Sequence, residues 1–228
     1  MKKILLCFTL FVCGYSFYAQ QDSYNTPLIN IDDFSDKFGA LRSNKFANKI
    51  DGSPLLFSGT SNTLIIYTND DKAYRVKNGN YNAFTGEIVT EFAKDSLFVF
   101  DKDNIKFAKL NNKVLKKYKD KSLETKFYFV LSEGQQITFL KGHYAVIENA
   151  KVNLLTDIVE ENSKYAIDEK YYISKDNATV VEVKLRKSSI LNEMKDHKDE
   201  VVTFVKENNL SYNKEEDLIK IMRYYNGL

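Results

Sequence analysis

The sequence predicts a mainly β, α+β fold: a curved antiparallel meander sheet of about eight to ten strands, with two C-terminal α-helices packed on it. Three observations predict it. Short runs of β-branched and aromatic residues recur between positions 63 and 185. The segments between them are rich in Asn, Asp and Gly, which tolerate the positive φ of tight hairpins. From residue 188 the apolar residues change to a helical period.

Residues 1–19 read as a Sec-type signal peptide. Lys2 and Lys3 form a positive n-region, Ile4 to Val12 an apolar run, and small or polar residues follow, with cleavage placed near Ala19. The run is too short to serve as a transmembrane helix, and no later stretch approaches the ~20 apolar residues needed to span a bilayer. Lipoprotein processing at Cys13 is the rival, disfavoured because the bulky Val12 precedes the cysteine. Cys7 and Cys13 both leave with the segment, so the mature chain carries no disulfide, thiolate metal site or cysteine nucleophile. Loss of Lys2 and Lys3 leaves 31 basic against 31 acidic residues. A neutral chain lacks the surplus of Lys and Arg that phosphate binding requires, so no nucleic-acid partner is expected.

Residues 20–62 are polar and poorly patterned, although Phe34, Phe38 and Leu41 at i, i+4, i+7 suit a short helix that Gly39 weakens. Residues 63–228 are expected to form one domain. Its strands begin with TLIIYT at 63–68, AYRV at 73–76, GEIVTEF at 86–92, SLFVF at 96–100 and IKFAKL at 105–110. KFYFVL at 126–131, QITFLK at 136–141, HYAVIENA at 143–150, KYYIS at 170–174 and TVVEVKL at 179–185 follow. Connections this short cannot make parallel crossovers. Alternation places Ile105 with Phe107 on one face, and Val181, Val183 and Leu185 inward. SLFVF and KFYFVL are apolar on both faces and mark a covered centre.

In SSILNEMKDHKDEVVTFVKENNL, Ile190, Met194, Val201 and Val205 form one stripe, with Ser188 or Ser189 as N-cap and Asn208-Asn209 as stop. A second helix starts at Asn213 with Glu216 in a capping-box spacing, runs through Leu218, Ile221, Met222 and Tyr225, and ends at Asn226-Gly227. Two such short helices cannot bury their apolar faces alone and must pack on the sheet or on each other.

Four segments carry a resemblance: YRVKNGNYNAFTGEI at 74–88, FYFVLSEGQQITFLKGH at 127–143, YYI at 171–173 and the tail VVTFVKENNLSYNKEEDLIKIMRYYNGL at 201–228. Together they resemble a family of exported, β-rich proteins of unknown function common in flavobacteria-like bacteria (Bacteroidota). In that family an aromatic usually closes the strand near residue 57, a place Phe57 fills. The resemblance implies fold and export. It carries over no catalytic residue.

Chemical motifs are sparse. No nucleophile elbow, Walker A loop, dinucleotide fingerprint or metalloprotease motif occurs, and no cofactor is expected. His143 follows Lys141-Gly142 and reads as a turn or sheet-rim histidine. Glu193, His197 and Glu200, at i, i+4, i+7, line up on a helix and are the weak candidates for a metal. Their position beside solvated charges reads more simply as a boundary histidine. Glu87 and Glu91 share a strand face, and a wet face explains them without glycosidase chemistry.

Among the aromatics, Tyr81 in GNYNAF is the best candidate for an exposed ring. The leading expectation is a non-catalytic envelope protein acting through protein contact, periplasmic first and extracellular second. The main rival is a carrier of a small apolar molecule or lipid, its cavity between sheet and helical lid lined by Phe98, Phe100, Phe129 and Phe139. An enzyme with an unrecognised carboxylate site comes third.

Overall fold

The computed structural model describes residues 38–43, 50–93, 96–153 and 155–228. The signal-peptide and lipidation readings fall outside the described residues, as does Phe34. Among the described residues the chain is mainly β, with fifteen strands in three sheets and three α-helices.

The strands are β1 Gly39–Ser43, β2 Ile50–Asp51, β3 Thr63–Thr68, β4 Ala73–Lys77, β5 Gly79–Asn82, β6 Glu87–Ala93 and β7 Ser96–Phe100. After a 3-10 turn come β8 Ile105–Leu110, β9 Lys113–Lys119, β10 Thr125–Ser132, β11 Thr138–Glu148, β12 Lys151–Asn153, β13 Ile158–Glu161, β14 Ser163–Ser174 and β15 Val181–Val183. The helices are α1 Lys187–Leu191, α2 Lys198–Glu207 and α3 Glu215–Tyr225.

The large sheet has the order β15-β14-β11-β10-β9-β8-β3-β4, and a small sheet runs β1-β7-β6-β5. All pairings between the named strands are antiparallel except that β2 lies parallel to β14. One sheet was expected; the small sheet forms beside the large one because the chain bends after β4. Asn78 adopts φ 53, and β5 leaves the large sheet to open the small one. The turn residue read as a hairpin signal acts here as a corner.

One face of the large sheet is covered twice. At the β4 end, Leu64, Ile66, Val76, Leu110, Leu115, Phe127 and Phe129 pack against Tyr81, Ile88, Phe98 and Phe100 of the small sheet. At the β15 end, Phe139, Ile173 and Val183 pack against Ile190, Met194, Val201, Leu218, Ile221 and Met222 of the helical layer. The opposite face carries a smaller cluster of Tyr118, Tyr128, Leu140 and Tyr172, closed by Val180 from the segment before β15.

Several local readings are corrected. Gly39, Ala40 and Leu41 belong to β1, not to a helix. β1 pairs with β7, and Gly39 lies so close to the Val99 carbonyl and the Phe98 ring that a Cβ has no room. Edge pairing outweighs a weak helical period. Ile105 faces the core with Ala108 and Leu110, while Phe107 turns away and stacks on Tyr67 at 4.2 Å. The cause is a register shift between Tyr67 and Thr68, which breaks simple alternation. Val181 is exposed and Val180 buried, because the segment at 175–180 folds over the outer face.

The first predicted helix is two. α1 ends at Leu191, Met194 carries φ −114, and a 3-10 turn at Lys195–His197 leads into α2. Asn208 caps α2, and Asn209 takes φ 51. The box at Asn213 and Glu216 does not cap α3. Lys214 holds the N-cap position, and the Asp217 carboxylate accepts instead from the Ser211 backbone N–H at 3.0 Å.

Candidate interaction arm and charge cluster

β10 and β11 stay paired only as far as Phe129 opposite Lys141. β11 and β14 stay paired much further, to Glu148 opposite Lys164. From Gly142 outward these two strands leave the sheet as a two-stranded arm, prolonged by β12 and β13.

Gly142 and Tyr144 explain the departure point. The Tyr144 ring folds back over Gly142, and a Cβ at Gly142 would stand 2.7 Å from the Tyr144 hydroxyl. That hydroxyl is 2.7 Å from the Tyr172 hydroxyl. The root of the arm is buttressed. Ala145 donates its backbone N–H to the Ala83 carbonyl at 2.8 Å, Phe84 meets Tyr165 edge-on, and β2 pairs with β14 at Ser163 and Lys164.

Beyond the root the arm is bare. Val152, Ile158 and Val159 are exposed, and Leu155 is 96 % exposed. Val152 stands opposite Val159, and Asn153 opposite Ile158, so apolar side chains occupy both faces of the ribbon as well as its tip. The turn is preformed. The Asn153 side chain accepts from the Leu155 N–H at 3.0 Å and donates to Glu160 at 3.0 Å, while Asp157 takes φ 53.

Where the arm joins the sheet, two successive cross-strand pairs carry charge: Lys141 opposite Tyr171, and His143 opposite Glu169. They lie on the doubly covered face, beside the helical layer. Lys141 forms ion pairs with Glu169 at 3.0 Å and with Glu215, the first residue of α3. The Tyr171 hydroxyl donates to the same Glu215 at 2.8 Å. Burial works against the charge of Lys141, but hydrogen bonds to Glu215 and Glu169 outweigh it and raise its pKa. Burial and the Glu215 carboxylate push the Tyr171 phenol up to about 12.

His143 is buried, its Nε2 3.3 Å from Glu169 and its ring edge-on to Phe129. Its Nδ1 has no hydrogen-bond partner. Burial lowers the imidazole pKa against the opposing pull of Glu169. The cluster can tie the helical layer to the sheet. His143, read as a rim residue, is thus a buried one; its inward strand alternation with Phe139 and Lys141 was the available signal.

The other predicted residues are placed as follows. Tyr81 is a correction: it is 3 % exposed, on β5 between the sheets, edge-on to Phe129. A short strand there replaces the expected loop. Phe98, Phe100 and Phe129 pack together in the core between the sheets, and Phe139 packs under the helices. The four rings fill two separate cores and do not line one chamber.

Glu193 pairs with Lys175 at 3.0 Å. His197 lies 3.5 Å from Glu200 and edge-on to Tyr225. The break before α2 takes Glu193 off the line that one continuous helix would give. No group of three His, Cys, Asp or Glu able to hold a metal occurs among the described residues. Glu87 is engaged by Arg42 through two hydrogen bonds, at 2.8 and 3.0 Å.

Among the described residues no helix is long and apolar enough to cross a membrane. The arm was the feature sequence reading missed. QITFLK and HYAVIENA, expected as two strands, form the single strand β11, and the expected strand KYYIS is only the end of the much longer β14. Comparison of the chain with family models, with curated proteins and with solved structures gives no match in any of the three.

Proposed function

We propose that the protein is an exported, non-catalytic envelope protein, periplasmic first, that acts through protein contact, and that the hairpin arm makes the contact. The export reading rests on the Lys2–Lys3 and Ile4–Val12 pattern. The contact reading rests on one observation. The body buries most of its large apolar side chains and leaves others, such as Leu123 and Phe84, exposed one at a time, whereas the arm holds Val152, Leu155, Ile158 and Val159 out in solvent together. An apolar surface of this kind on a preformed ribbon is a docking element more readily than a folding element. A two-stranded ribbon standing alone is also marginally stable in water and gains most from a partner.

The test replaces residues 152–159 by a short Asn-Gly turn in the exported protein. The shortened protein should keep the melting temperature of the full chain, because none of the described residues in the removed part is buried. It should lose the stoichiometric protein associations of the full chain in its own envelope fraction, read by native mass spectrometry. Unchanged associations would overturn the assignment to the arm. A stripped-off apolar ligand in place of a protein would favour the carrier.

A further inference from the structure

We infer that the partner of the arm is a protein presenting an apolar recess with a basic margin. This inference rests on the contact reading above and adds the chemistry of what is contacted.

The shape of the tip asks for a recess. Val152 and Val159 form an exposed pair on one side of the ribbon, Ile158 lies on the other side, and Leu155 projects from the end. A flat surface could cover one of these sides only. Burying a large aliphatic side chain contributes roughly 1.5–3 kcal/mol, so leaving half of them wet would waste most of the affinity. The Asn153 hydrogen bonds hold the turn before any partner arrives, which lowers the ordering cost of docking.

The charge decides among occupants. Residues 148–164 contain four acidic groups, Glu148, Asp157, Glu160 and Glu161, and two basic ones, Lys151 and Lys164. Both lysines are taken within the arm: Lys151 by Glu161 at 2.8 Å and Lys164 by Glu148 at 3.3 Å. Asp157 and Glu160 are the surplus, and they flank Ile158 and Val159. An anionic bilayer surface attracts basic segments and repels this one. A tip-to-tip contact with a second copy of the chain would bring two acidic tips together. Lys or Arg around an apolar recess complements the tip in both respects and would speed encounter.

The experiment uses the full chain in its producing cells, with a photo-reactive benzophenone amino acid replacing the exposed Thr156. One discrete protein adduct is expected. Its yield should fall about tenfold or more with Leu155→Asp plus Ile158→Asp, as the lost apolar burial implies. It should also fall severalfold with Asp157→Asn, which halves the surplus, keeps a residue tolerant of positive φ at 157 and leaves the Asn153–Glu160 hydrogen bond in place. All variants should keep the parental melting temperature.

An adduct indifferent to the charge change would overturn the basic margin and leave the contact reading standing. A homodimeric adduct would overturn the inference in favour of a second copy. Co-sedimentation of the purified protein with phosphatidylglycerol-containing vesicles, abolished by the Leu155→Asp change, would overturn it in favour of a lipid surface. With neither a protein adduct nor vesicle binding, both readings fall.

Discussion

Asn226 pairs with Ile137 as a neighbouring strand would. Its side-chain oxygen accepts from the Ile137 N–H at 2.9 Å, and its side-chain nitrogen donates to the Ile137 carbonyl at 2.9 Å. The same oxygen accepts from Gln136 at 3.1 Å. Asn80 does the same to Phe57, accepting at 3.1 Å and donating at 2.7 Å. One asparagine pins the last helix to the loop before β11. The other pins the segment before β3 to the small sheet.

Removal of the Asn226 pin should therefore be costly. Asn226→Ala leaves the partly buried N–H groups of Gln136 and Ile137 without their acceptor. At about 1–3 kcal/mol for a buried polar group left unpaired, the urea midpoint should drop clearly. Asn226→Asp keeps the acceptor but loses the donor, so its loss should be smaller. Equal stability of Asn226→Ala and the parent in urea unfolding would contradict this.

Gly142→Ala should destabilise by forcing the Tyr144 ring away from its seat, an effect of about 1–3 kcal/mol by analogy with overpacking. Tyr144→Ala should cost stability by itself and make Gly142→Ala nearly silent. The double-mutant cycle measures this coupling. Simple additivity would mean that the close approach carries no energy.

Acid should weaken the fold first through His143. Its pKa is lowered in the fold, so the unfolded chain binds a proton more readily. The stability tied to its neutral form is complete above the ordinary value of 6.5 and declines as the pH falls below it toward the folded value. Glu169 adds a separate loss at lower pH. Burial acts to raise its pKa, but Lys141 and His143 hold it below 4.5 overall. Melting curves between pH 7 and pH 5 should slope for the parent and flatten for His143→Gln. Parallel slopes would show that His143 does not titrate on unfolding in this range.

The helical layer should not be separable. A chain ending at Arg186 would bare Ile137, Phe139, Ile173 and Val183, and break the Lys141–Glu215 tie. Aggregation is expected by light scattering. A soluble, cooperatively melting fragment would mean that the sheet closes by itself.

Much of the fold was legible because its signals are local. The β-branched and aromatic run TLIIYT, turn asparagines at positive φ such as Asn111 and Asn112, and the stripe of Leu218, Ile221 and Met222 act over a few residues. Chain stereochemistry suffices to read them. They determined strands, turns and helix faces.

The tertiary structure alone decided which elements share a face. Asn78 reads the same as a hairpin turn or as a corner between two sheets, and Asn226 the same as a helix stop or as a pin on Ile137. Tyr81 reads the same on a loop or between layers. The arm follows from the strand pairing, which ends at Lys141 on one side of β11 and continues to Glu148 on the other. Such choices depend on contacts between residues far apart in the chain, where hydrogen-bond capacity and buried area are settled by the partner and not by neighbours in sequence.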